Sequence, residues 1–304
     1  MSGHRFTCHS VALPLSPLIG GGRLGEGTVL GSSSTAAYLS FDDVVLALTA
    51  SSVPLMPNGA AVIEREGLDA FEAGAVVRTT GRGMRAGRAE VAWEGAVTVD
   101  LAVPRNEGHG ARAVARRGSD LLEALGHDAD PFAAIAQARP ELVAGDGLAA
   151  VRLLFAALTD GAPDAARGAA RVLTGRGPGL TPDGDDLLAA AAAATLAFGG
   201  PAGKHRGVAG GLRAALLVDD LGHRTGALSA TLLRLAAGGQ VIDPVRTLLD
   251  LTAERATWMR ALDRLARTGH STGGTYALGC ALTALALAGK CNSGHVNQLR
   301  EGKP

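Results

Sequence analysis

Aromatic residues are scarce: Phe, Tyr and Trp together make up 3% of the 304 residues. That scarcity removes the stacking platforms on which a single-strand nucleic-acid binder depends. Charge of one sign is also missing. Lys+Arg and Asp+Glu each number 29, so the formal net charge is zero. The large basic field of a nucleic-acid-binding protein is therefore not expected. Cysteine is limited to Cys8, Cys280 and Cys291, an odd number without a CxxC pair. This usage argues against a disulfide framework or a structural zinc site and fits a reducing, cytoplasmic setting. The histidines have no ligand spacing with one another, which argues against a His-based zinc site. The apolar run Val11–Ile19 is broken by Pro14 and Pro17, so it does not read as a signal peptide. Ser271–Gly289 is uncharged for 19 residues. It opens with a polar turn and is mostly Ala, Gly, Thr and Leu, which reads as a buried core helix rather than a membrane span.

What is present suits a packed core. Hydrophobic residues reach 47% against 19% charged, a balance that excludes disorder. Gly numbers 43 without a collagen period, so close approach of small residues replaces aromatic anchors. The first third carries short apolar or alternating runs separated by Gly, Pro, Asn and Asp: Ala36–Ser40, Val44–Leu48, Ala60–Ile63, Ala75–Arg78, Glu90–Trp93 and Thr98–Leu101. These predict strands. Gly81–Arg88 reads as an exposed basic loop. From Gly110 onward the spacing is helical, over Ala111–Leu125, Leu148–Leu158, Asp164–Leu173, Pro182–Phe198, Val208–Leu221, Leu228–Ala237, Pro244–Ala266 and Thr275–Ala288. Gly118 is a weak point in the first of these. Asp243-Pro244 reads as an N-cap acid with Pro at the first helical position. The tail after Gly289 turns polar and reads as frayed. The fold class is thus α+β: a β-rich N-terminal domain over 1–106, then an Ala/Leu-rich helical domain over 107–304 that carries the site loops.

Three segments concentrate the chemistry. In Gly175–Asp186, glycines precede a helix whose first turn holds Asp183, Asp185 and Asp186. Thr181 is a natural N-cap and Pro182 suits the first helical position. Backbone N–H groups around Arg176, Gly177 and Gly179 can face an anion. Asp183 and Asp186 share a face and could hold a divalent cation such as Mg2+, while Asp185 or Asp186 could serve as a base. A capped helix with first-turn acids needs no ligand, but three acids in four residues repel one another unless paired. The segment is neither a Walker A loop nor a dinucleotide fingerprint. In Gly269–Gly274, His270 can move a proton near neutral pH, and Ser271, Thr272 and Gly273 can cap a helix or bind an anion. The bland alternative is a loop histidine at the end of the preceding helix. In the third segment, Thr225 and Ser229 are four apart, which places them on one helix face, lining a pocket or bonding back to the helix. A single pocket requires the first two segments to converge.

Gly177-Pro-Gly-Leu-Thr-Pro-Asp-Gly-Asp-Asp186, Thr225–Ala236 with Gly238, and Gly269-His-Ser-Thr-Gly273, in that order, resemble the bacterial AllH-like family. That family is linked to a subunit of oxamate carbamoyltransferase. The chain departs from the family pattern at Asp183, where Ser is expected, and at Ser271-Thr272. An extra acid at 183 opposes a phosphate unless a cation intervenes. The resemblance implies a subunit that exchanges a carbamoyl group between oxalurate and carbamoyl phosphate together with other enzyme subunits, acting on a small anionic metabolite. The residues alone leave two other functions open: a cation-dependent hydrolase or lyase of a small carboxylated or phosphorylated metabolite, and a non-catalytic scaffolding subunit.

Overall fold

A computed structural model describes residues 3–19, 24–42, 44–127, 131–199 and 204–290. The tail after Lys290, expected to fray, lies outside them, as does Cys291. The strands are β1 (His4–Ala12), β2 (Glu26–Ser32), β3 (Ala36–Phe41), β4 (Val44–Thr49), β5 (Gly59–Val62), β6 (Val76–Thr80), β7 (Gly83–Ala86), β8 (Ala89–Ala92) and β9 (Val97–Val99). They pair in the order β5-β4-β3-β2-β6-β7-β8-β1, and β1 closes on β5, so the sheet is a barrel. Neighbours are antiparallel except β4–β5 and β1–β8; β9 runs parallel to the second half of β1. Closure leaves no free edge along the ring.

Period-2 alternation explains the strands. Along β3, Ala37, Leu39 and Phe41 are buried, with half-buried neighbours between them. β4 is apolar without alternation because both of its faces are covered. Leu46 and Leu48 point into the barrel core, while Val45 and Ala47 pack under Met56, Leu228 and Leu232. Gly81–Arg88 is not an exposed loop. Its centre is β7, in which Met84 and Ala86 are buried and only Arg85 points out. The basic residues masked this alternation, and β1 and β2 also escaped the sequence reading.

The helices are α1 (Ser16–Ile19), α2 (Ala111–Ala124), α3 (Pro131–Ala138), α4 (Pro140–Val143), α5 (Gly147–Asp160), α6 (Pro163–Leu173), α7 (Asp183–Phe198), α8 (Lys204–Leu216), α9 (Leu221–Arg224), α10 (Ala227–Ala237), α11 (Asp243–Leu249), α12 (Arg255–Ala266) and α13 (Thr272–Leu287). The α+β class holds: strands end at Val99 and every long helix follows Gly110. Two expected helices are interrupted. Val208–Leu221 divides into α8 and α9, and Pro244–Ala266 into α11 and α12. The second break is held from outside. Arg117 on α2 donates to the carbonyls of Leu248, Asp250 and Ala253, and Asn106 bonds Leu249 and Leu251. Asp243 is the first residue of α11, not its cap, and instead pairs with Arg264 at 2.8 Å.

α7 and α13 form the centre, buried almost all round. α13 is 16 residues long, and among the described residues no helix is long and apolar enough to cross a membrane. The two helices run in the same direction: Thr275 lies against Asp183, and Gly279 against Leu187 and Ala190. The approach is too close for a side chain. A Cβ on Gly279 would lie 2.6 Å from the Cβ of Ala190, and one on Gly118 would lie 2.9 Å from the Ala281 carbonyl of α13. Gly118 is thus a packing contact between α2 and α13 rather than a weak point. Gly279→Val is expected to cost about 1–3 kcal/mol through overpacking, read as a lowered urea midpoint.

Candidate functional site

Parallel packing puts the N-termini of α7 and α13 at one end of the bundle. Each contributes a partial positive charge of about half a unit, and the first-turn acids of α7 sit against both. Their hydrogen bonds divide them into different roles. Asp185 is clamped. Its Oδ1 accepts the Gly175 N–H at 2.8 Å, and its Oδ2 accepts the hydroxyls of Ser229 at 2.6 Å and Thr225. The anion that this glycine loop holds is therefore the chain's own carboxylate. Burial pushes the Asp185 carboxyl above the usual range, against the pull of those donors.

Asp183 is clamped from the other side. Its Oδ1 accepts the Thr275 hydroxyl at 2.8 Å and lies 3.4 Å from Nε of Arg139. Arg139 also donates to Thr275 and to the Ser271 carbonyl. It sits between α3 and α4, where the residue before a proline leaves the helical region.

Asp186 differs from both. It is 2% exposed, and its Oδ2 has no hydrogen-bond partner. Burial pushes its pKa well above the usual carboxylate range; the Thr272 hydroxyl pulls it down, and Asp183 and Asp185 push it further up. Burial thus favours the protonated form over the ionised one, and one oxygen is left without a partner. The Tyr276 hydroxyl, buried beside these acids, is likewise pushed well up, first by burial and then by Asp186.

The glycine loop and the Gly269–Gly274 turn meet. The hydroxyls of Thr181 and Thr272 are 2.8 Å apart. Thr181 therefore does not cap α7, which starts at Asp183 behind Pro182 and has no side-chain cap. Ser271 occupies the N-cap position of α13 but contributes its carbonyl, not its hydroxyl. Thr225 and Ser229 do converge, but not on one helix face: Thr225 is extended, between α9 and α10. His270 and Gly179 are exposed at the rim. Gly177 is pressed against the Asp183 amide, and Gly273 against the Leu265 carbonyl. Arg176 points elsewhere, to the Ala144 carbonyl and Asp146. Arg139 and Thr275 were missed. Arg139 lies far along the chain, whereas Thr275 sits four residues after Ser271 and was within reach of a helical-spacing argument.

Among the described residues no group of three or more His, Cys, Asp or Glu is arranged around a metal position. With Asp183 spent on Arg139 and Thr275, the pair Asp183–Asp186 offers too few free oxygens for the shell that Mg2+ demands. Such a donor set does not fit the cation.

Residues 173–284 match the family model described as oxamate carbamoyltransferase subunit AllH. Over this segment, about a third of the chain, the protein is similar to that family. The matched segment holds all three motif segments and every carboxylate of the cluster, while Arg139 comes from outside it. No curated protein and no solved structure matches the chain.

Two outcomes follow for the acids. Asp185→Ala strands one N–H and two hydroxyls and is expected to cost about 3–5 kcal/mol, measured by urea unfolding. Asp186 behaves oppositely. Unfolded, it loses its proton near the ordinary 3.8; folded, it keeps the proton to higher pH. The folded state thus binds more protons above that pH, and its stability falls as pH rises. Asp186→Asn is expected to flatten that fall in urea midpoints taken across pH.

Proposed function

We propose that the chain is a subunit of a carbamoyltransferase-type enzyme. It acts with partner chains on a small carboxylated amide, oxamate-like or oxalurate-like, and carbamoyl phosphate. The observation that carries this reading is the AllH match over 173–284, since that segment contains the motifs that meet at the two helix N-termini. In the transfer, the substrate amide nitrogen attacks the carbamoyl carbon, the C–O bond to phosphate breaks, and the nitrogen loses a proton. Asp186, against which that nitrogen lies, takes the proton first, and His270 at the rim passes it on. The helix N-termini favour the charge that grows on the carbonyl oxygen. Asp186 positions the amide, while Asp183 and Asp185 hold the loops.

A second reading, a non-catalytic subunit, draws support from one observation: Asp183 and Asp185 are already held by the chain's own donors. The two readings separate in one experiment. The chain is assembled with its partner subunits and carbamoyl transfer is measured. Under the first reading, His270→Ala lowers turnover by about a hundredfold or more without loss of assembly. Wild-type turnover in both His270→Ala and Asp186→Leu assigns the chain to the second.

A further inference from the structure

Resting on the carbamoyltransferase reading and deepening it, we propose that Asp186 is the specificity-determining residue of this site. Its open Oδ2 takes the amide N–H edge of the ligand, so an amide end points inward and any carboxylate end faces the rim.

Three observations carry the proposal. The first is the open oxygen. Asp186 is 2% exposed and its Oδ2 is unpartnered, whereas Asp183 and Asp185 each have donors from the chain. An unsatisfied buried acceptor is costly, and a ligand N–H removes the deficit. The second is charge. Asp183 is paired with Arg139 and Asp185 lies in the field of Arg224, while burial favours the neutral form of Asp186. A whole charge of either sign pushed inward would be buried without a counter-charge, whereas an amide N–H presents only the positive end of a dipole. An ammonium group would bring three donors to one open acceptor and leave a charge buried. The third is the hydroxyl pair above. Thr181 and Thr272 bond each other at 2.8 Å; with the Thr272 proton given to Asp186, Thr181 is the donor. Opening that bond frees a hydroxyl to donate to the amide carbonyl, so both edges of the amide are matched. Pro178–Leu180, the segment just before Thr181, is exposed.

The test is calorimetric titration of the full chain with oxamide, oxamate, oxalate, inorganic phosphate and methylammonium. These probes share small size and differ in charge and in N–H donors. Oxamide and oxamate are expected to bind about tenfold or more tighter than the other three. Asp186→Leu is expected to abolish oxamide binding while melting no lower than wild type, because it removes an unsatisfied polar group. Asp186→Asn, which keeps an acceptor oxygen, is expected to retain it. Should Asp186→Leu fold poorly, Thr181→Val serves instead and is expected to weaken oxamide binding. Binding of oxalate, phosphate or methylammonium as tight as that of oxamate overturns the proposal. So does absence of oxamide binding, or wild-type affinity in Asp186→Leu or Thr181→Val. Amide binding that depends on Asp186 in a complex without carbamoyl transfer leaves this proposal standing and removes the transferase reading.

Discussion

The close parallel contact between α7 and α13 is the constraint from which the rest of the helical region follows. Glycine at 279 lets the two backbones approach within a distance that excludes even a methyl group. Helices packed in the same direction place like ends of their dipoles side by side. Acids in the first turn of α7 offset that repulsion, and the loops that enter both helices must meet there. Site and core are therefore one arrangement: the packing that buries α13 also brings Thr272 and Thr275 to the carboxylates.

Three neighbouring aspartates resolve their mutual repulsion in three ways. Asp183 gains a guanidinium and a hydroxyl. Asp185 gains an amide N–H and two hydroxyls. Asp186 gains one hydroxyl and lies deepest in the acid field, where the neutral form is favoured. Two of the acids act as struts, and one has capacity left over. The sequence shows three equivalent letters; the differences between them arise from partners on α10, α13 and the α3–α4 junction.

Legibility in the sequence tracks locality. α7 and α13 were readable because their small apolar residues run all round the helix, which only a central position tolerates. The convergence of the glycine loop with the 269–274 turn was readable as a requirement of two ligand-friendly helix starts. The break between α11 and α12 was not, because its cause lies in Arg117 and Asn106 on another element, with Trp258 under the Arg117 guanidinium at 5.4 Å. Caps were misjudged by a residue for a related reason. Thr181 has the right side chain for a cap, but the hydroxyl of Thr272 competes for it. Arg139 carried no local signal at all.

α10 touches both halves of the protein. Leu228 and Leu232 sit on the outer face of β4, where the Thr231 hydroxyl also receives the Val45 N–H. On its other side, Ser229 reaches Asp185, which in turn fixes Gly175. The barrel is thus an abutment, and α10 is the short beam that carries load from it to the glycine loop. Leu228, Ser229 and Thr231 lie within one turn of each other, so a substitution that reseats α10 on the barrel wall also moves the Ser229 hydroxyl relative to Asp185.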